Sequence, residues 1–284
     1  MHRFGSAGTQ VTKRKEGRLV LLAKPHAMAT ILDALADRLE HIQTSEYELT
    51  TLRDRLCLLA LADGGKPAFE ALLDDCALDA AQALARVASE FGLVTKFVVL
   101  DGTCLLRTPN VPPLVLKAIV DLWRPRYRIR SLWIARRFLD IPRRDRLLPE
   151  ASEGAYLGYP TCCVAAYLEK TRRRAEAFYR LAQQRNSGKR DAELAHWIRS
   201  DPVLTNEEAD RLLGLNAVLK SDQAFPFVPH IACPDCLSGK TAATSKQNTY
   251  FEELARQAGL RDRILHAVME LVGRPGPSPP AQAI

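Results

Sequence analysis

Two short cysteine runs, far apart in the chain, constrain this sequence more than any other feature. Cys233-Pro234-Asp235-Cys236 lies in the loop FPFVPHIACPDCLSGK, and Cys162-Cys163 lies upstream in GYPTCCVAAYLEK. Two cysteines two residues apart in a loop are a common way for a chain to offer paired thiolates to one metal ion. The prolines of this loop exclude a helix interior or a central strand. Something other than regular backbone pairing must therefore fix it. The expectation is that the two runs meet in space around one centre.

Pro160 suits the first turn of a helix, which places Cys162 and Cys163 in that turn. There, unpaired N–H groups and the positive end of the helix dipole favour an anionic thiolate, the form that binds metal and attacks electrophiles. Neighbours on a helix point about 100° apart, so both can serve one ion only where the turn is irregular. A disulfide between them is strained, because adjacent Cα atoms sit about 3.8 Å apart and disulfides span about 4.4–6.8 Å. Two ligand sets suit the pattern: Cys162, Cys163, Cys233 and Cys236 together, or three of them with His230. Zinc fits either set, and an iron–sulfur cluster fits the four-cysteine set. A thiol–disulfide pair at Cys233 and Cys236, or plain core packing of the cysteines, are the competing readings. In an enzyme, Cys162 or Cys163 is the candidate nucleophile acting on a small-molecule substrate, with Tyr159, Asp235 and Ser238 as polar neighbours.

Compartment bears on that choice. No run approaches the 18 apolar residues of a membrane span, and MHRFGSAGTQVTKRKEG lacks the apolar core of a secretion signal. The expected location is the cytoplasm, where paired cysteines bind metal more often than they form disulfides. The formal net charge is +7, which permits phosphate-rich partners. Arginine concentrates between Trp123 and Arg146, at Arg124, Arg126, Arg128, Arg130, Arg136 and Arg137 among others, with Tyr127, Trp133 and Phe138 interleaved. Basic residues alternating with aromatics can track and stack on RNA or another polyanion. The alternative is a helix burying Trp133, Ile134, Phe138 and Leu139 on one face. In the polyanion-binding reading, by contrast, a structural zinc would staple the binding module.

The remaining pattern is mostly helical. Ile31, Leu35, Leu39 and Ile42 repeat at helical spacing, as do Leu49, Leu52, Leu56 and Leu59, closed by Gly64-Gly65. Phe69, Leu72 and Leu73 suggest a short third helix and Asp79–Phe91 a fourth. Lys96–Leu100 and Thr103–Arg107 flank Asp101-Gly102, the signature of a two-residue hairpin, which is expected to pair with the run at Leu19–Leu22 or to pack on the helices. Helices follow over Leu114–Leu122, Pro160–Gln184, Asp191–Arg199, Asn206–Lys220, Lys246–Ala258 with Ser245 as cap, and Arg261–Val272. Cys57, Cys76 and Cys104 read as core. The predicted fold is mainly α with a small antiparallel β element in the N-terminal half. The predicted layout is a disordered tail at 1–17, a helical domain with a hairpin at 18–141, a helical cysteine domain at 150–272 and a second tail at 273–284.

The two runs also resemble an uncharacterised prokaryotic family that carries GYP-x-CC and, far downstream, P-H-x-x-C-x-x-C-x-x-S. The matching residues are Gly158, Tyr159, Pro160, Cys162 and Cys163, then Pro229, His230, Cys233 and Cys236. Ser238 stands one position early for the final serine. The resemblance spans about residues 150–260 and implies that both runs build one site. A fainter likeness is to the cysteine-rich domains of heterodisulfide-reductase-like proteins, which place an adjacent cysteine pair and a CxxC around an iron–sulfur cluster. Val164 replaces the glycine that follows their paired cysteines.

Overall fold

A computed structural model describes residues 25–45, 47–73, 78–100, 108, 110–123, 129–137, 154, 156–200, 203–205, 207–208, 212 and 215–273. The protein is mainly α, with a small antiparallel sheet in its N-terminal half. The chain opens with α1 (Pro25–Leu39) and α2 (Glu48–Asp63). In α1, Leu32, Leu35 and Leu39 are buried while Ile31 is 40% exposed. Leu35, Leu39 and Ile42 are buried as the spacing suggested, and Leu32 takes the inward place expected of Ile31. Helix α2 is buried all round from Arg55 to Leu61, with Leu52, Leu56, Cys57, Leu58, Leu59 and Leu61 inside. Such an apolar stretch has to be covered on every side. It packs against α1, β1, α9 (Ala243–Gln257) and α10 (Arg261–Gly273). Gly64 ends it in the left-handed conformation, φ 94°, and its N–H bonds back to the carbonyls of Ala60 and Leu61.

The third expected helix is a strand. β1 (Ala68–Leu73) pairs antiparallel with β3 (Ile129–Ala135), and β3 pairs antiparallel with β2 (Val94–Leu100), giving the order β1-β3-β2. Between the strands lie α3 (Leu78–Glu90) and α4 (Pro113–Trp123). The apolar trio Phe69, Leu72 and Leu73 has helical spacing, but β3 supplies a full ladder of partners, from Ala68 opposite Ala135 to Leu73 opposite Arg130. Tertiary pairing overrides so short a local signal.

β3 also corrects the expected helix through Trp133 and Ile134. Leu132, Trp133, Ile134 and Ala135 are all buried because this central strand is covered on both faces. Leu132 and Ile134 join Phe69 and Ala71 in the core around α2, while Trp133 and Ala135 join Ala68 against Leu157. The sheet therefore touches the helical core on one side and the approach to the cysteine run on the other. Thr103–Arg107, Leu19–Leu22, Cys76, Cys104 and both expected tails lie outside the described residues, except Gly273, which ends the last helix. The described partner of β2 is β3, twenty-nine residues downstream in register from Leu100 to Ile129.

A second core joins α4 with α5 (Thr161–Arg185) and α6 (Asp191–Arg199) through Val115, Ile119, Phe178, Ala182, Leu194 and Ile198. Helix α7 (Leu215–Ala224) runs past the expected end at Lys220, and residues 207, 208 and 212 of the expected span are helical. A single turn, α8 (Pro234–Leu237), carries the CxxC into α9. The largest core takes residues from Leu32 to Ala267, so α9 and α10 pack with the first helices. No helix among the described residues is long and apolar enough to cross a membrane.

Half-buried Asp54 on α2 accepts a hydrogen bond from the Thr44 hydroxyl at 2.6 Å. Burial raises its carboxyl to about 7, against the lowering pull of that hydroxyl. The folded state thus binds this proton more tightly than the unfolded chain does. The stabilisation is complete below the ordinary value of 3.8 and disappears as pH rises through about 7. We expect melting temperature to fall between about pH 5 and about pH 8, and to fall less for Asp54→Asn. Equal pH slopes in the two proteins would remove Asp54 as the cause.

Candidate metal centre

The first cysteine run is held before its helix begins. The Leu157 carbonyl accepts a hydrogen bond from the Lys66 ammonium at 2.5 Å, and the Gly158 carbonyl accepts one from the Gln247 amide at 2.6 Å. Lys66 follows α2 and Gln247 lies on α9, so both sides of the molecule grip the same turn. The Lys66 ammonium also sits 4.8 Å above the centre of the Tyr159 ring. Lys66 is buried, and desolvation lowers its affinity for a proton. The chain then passes through Pro160, the N-cap of α5 rather than its first residue, and enters the helix at Thr161.

This first turn is tightened. The Pro160 carbonyl accepts from the N–H of Cys163 and from that of Val164, each at 3.0 Å, so a 3₁₀-type bond accompanies the α-helical one. Side chains at a helix start lean toward its N-terminus. Both sulfurs therefore project past the helix end, and they stand 4.0 Å apart. The angular objection to two adjacent ligands is met in this way.

The second run is fixed without regular pairing to a neighbouring strand. Arg53 of α2 donates from Nε and Nη2 to the Pro226 carbonyl, at 3.0 and 2.8 Å, and its Nη1 pairs with Asp222 at 2.8 Å. The Phe227 N–H donates to Asn248 Oδ1 at 3.1 Å, and the Ala232 N–H donates to the Ser221 hydroxyl at 2.7 Å. These ties deliver Cys233 as the N-cap of α8 and Cys236 inside it.

The two runs meet. Cys236 Sγ is 3.8 Å from Cys162 Sγ and 3.7 Å from Cys163 Sγ. The four sulfurs, with Cys233, all lie within 4.8 Å of one another and form a group that could hold a metal ion. All four are free thiols, with Cys162 half-buried and the other three buried. Cys57 is buried in the core, as expected of it.

His230 is not part of this group. Its Nε2 lies 3.3 Å from the Thr244 hydroxyl and its ring stacks on Tyr159 with centroids 5.1 Å apart. Burial, then the Lys66 and Arg53 cations, lower its pKa to about 4. It is a neutral neighbour one hydroxyl away from the sulfurs. Asp235 and Ser238 are exposed and serve the turn itself: Asp235 pairs with Lys240 at 3.6 Å, and the Ser238 hydroxyl donates to the Asp235 carbonyl. Of the arginines proposed for polyanion binding, Arg130 lies in β3, Arg136 and Arg137 follow it on the surface, and Arg124, Arg126 and Arg128 lie outside the described residues.

Two threonines that the motifs did not flag touch the sulfurs. Thr244 Oγ1 is 3.2 Å from Cys163 Sγ, and Thr241 Oγ1 is 3.1 Å from Cys236 Sγ. The hydroxyls in TAAT, just downstream of the CxxC, were the available signal. Thr244 reaches the site because α9 starts at Ala243, not at the expected Lys246; Ser245 lies inside the helix instead of capping it. The N-termini of α5 and α9 thus both face the cluster, where they favour negative charge. Burial pushes the Cys163 thiol up to about 12. Burial also opposes ionisation of Cys236, but the Thr241 hydroxyl and the hydroxyl and amide of Thr244 outweigh it and bring its pKa to about 6. One thiol ionises easily, and Cys163 holds its proton until another positive charge arrives.

Gly158 has φ 73°, and a Cβ there would stand 2.9 Å from Cδ of Pro67. Left-handed backbone costs an L-residue about 1–2 kcal/mol, and the clash adds to it. Gly158→Ala should lose at least about 1–2 kcal/mol of stability in denaturant unfolding; an unchanged midpoint would show that the turn tolerates a side chain.

No protein-family model matches this chain, and neither does any curated protein or any solved structure.

Proposed function

We propose that the protein is a zinc metalloprotein in which Cys162, Cys163, Cys233 and Cys236 hold a single ion. The ion would staple the start of α5 to the turn that leads into α9, joining Cys163 to Cys233, 70 positions further along the chain. The observation that carries this reading is the size of the sulfur group. Four sulfurs about 2.3 Å from one zinc ion stand about 3.8 Å apart in a regular tetrahedron. The distances among Cys162, Cys163 and Cys236, at 3.7, 3.8 and 4.0 Å, bracket that value, and the group with Cys233 lies within 4.8 Å. In a four-iron cluster each iron carries its own outward thiolate, so the sulfurs belong on a larger tetrahedron. The close spacing favours a single ion over such a cluster.

The surroundings fit the same group. A Cys₄ zinc centre carries two net negative charges, and its sulfurs need donors. Thr244 and Thr241 offer hydroxyls, and the Cys233 N–H donates to Cys163 Sγ at 3.4 Å. Four protein ligands close the coordination shell, whereas catalytic zinc sites keep one position open for water or substrate. The donor set therefore favours a structural role. Bound zinc would supply a redox-inert cross-link and the positive charge that draws the proton from Cys163.

Protein purified anaerobically should carry one zinc per chain and no visible absorption. Iron with acid-labile sulfide would overturn the reading, as would a Cys236→Ser variant that keeps full metal content. Loss of an outer-shell donor typically weakens metal binding about 10–100-fold. Chelator competition should show that loss for Thr244→Val and not for Thr244→Ser. Equal affinity in both variants would mean that the hydroxyl does not support the sulfur.

A further inference from the structure

We propose that Cys162 is the reactive sulfur of the centre, a modification site for small, uncharged, soft carbon electrophiles. The proposal rests on the four-thiolate zinc reading and asks which of the four thiolates retains its nucleophilicity.

The hydrogen bonds separate them. Cys163 takes the Thr244 hydroxyl at 3.2 Å and the Cys233 N–H at 3.4 Å. Cys236 takes the Thr241 hydroxyl at 3.1 Å, with further support from the Thr244 backbone amide. Cys233 takes the backbone N–H of Cys236. Cys162, among the described residues, has one partner other than sulfur: the same Thr241 hydroxyl, at 4.0 Å. A hydroxyl has one proton to give, and Thr241 lies closer to Cys236. Cys162 is therefore left without a donor. A hydrogen bond stabilises the charge on a thiolate and so dulls its attack; the sulfur that lacks one keeps its electron density.

Access points to the same residue. Cys163, Cys233 and Cys236 are 2%, 5% and 3% exposed, whereas Cys162 is only half-buried. Its surroundings are apolar, with Ala166, Phe225, Leu237 and Ala243 half-buried around the sulfur group. Such a rim favours an uncharged reagent over a charged one. The electron-rich sulfur and the accessible sulfur are one and the same.

The step balances with no oxidant and no proton transfer, because the metal-bound thiolate has already lost its proton. A sulfur electron pair forms the new carbon–sulfur bond. The bond from carbon to its leaving group breaks, and that pair departs with the leaving group. Cys162 becomes a neutral thioether, and the centre changes from two net negative charges to one.

The test uses the full chain, shown beforehand to hold one zinc, treated with less than one equivalent of iodoacetamide and mapped by peptide mass spectrometry. Cys162 should be labelled at least about tenfold more than each of Cys163, Cys233 and Cys236, the effect in rate of one missing hydrogen bond to a charged sulfur. Removing zinc with a chelator before labelling should abolish that preference. Even labelling of the four in the zinc-loaded protein, earlier labelling of Cys236, or a preference that survives zinc removal would each overturn the proposal while leaving the zinc reading intact. A chain that holds no zinc would instead defeat the reading beneath it.

Discussion

The burial of α2 on every side from Arg55 to Leu61 is the constraint on which the sulfur group depends. A helix with leucine on every side cannot rest on a surface; it has to be wrapped. Wrapping it brings α9 and α10 from the far end of the chain against the first helices. Once buried, α2 can aim its few polar side chains at fixed targets. Arg53 grips the loop before Cys233, Asp63 accepts from the Tyr250 hydroxyl of α9 at 2.7 Å, and Lys66, just past the helix, grips the turn before Cys162. Each tie joins segments remote in sequence, and between them they fix both cysteine runs relative to one scaffold.

Electrostatics then decides how four sulfurs tolerate each other. Thiols in a nearly dry cluster resist ionisation, because the charged form loses its solvent. The fold answers with directional groups in place of cations: two helix N-termini, two threonine hydroxyls and backbone amides. These donors are shared unevenly. Cys236 receives the most and Cys162 the least, so four chemically identical ligands are made inequivalent by their neighbours. His230 belongs to this outer layer. It stacks on Tyr159 and meets Thr244 rather than a sulfur, so the conspicuous histidine of the loop supports the group from behind.

Legibility in the sequence followed the range of the forces involved. Long helices with repeated apolar stripes, such as α5 and α10, stood close to their expected limits because their signal is local and repeated. Phe69–Leu73 was misread because so short a run carries too few periods to separate helix from strand, and the choice was made by β3 across the sheet. Trp133 and Ile134 were placed correctly inside but on the wrong element. Consecutive buried residues mark a strand covered on both faces, and the cover comes from elements distant in sequence. The cap assigned to Ser245 failed for a similar reason: α9 gains an extra turn, which carries Thr244 to the sulfurs.

By itself the sequence determined which atoms were available: four thiols in two pairs, an N-terminal helix turn beneath one pair, and a proline-rich loop beneath the other. It also determined that most of the chain would be helical, since apolar spacing is a local property. Tertiary structure alone decided that the pairs would meet, because no local force acts between Cys163 and Cys233. That meeting follows from the wrapping of α2. The same packing decided which sulfur would be left without a donor, since a hydrogen bond depends on ångström-scale placement of a hydroxyl from another helix.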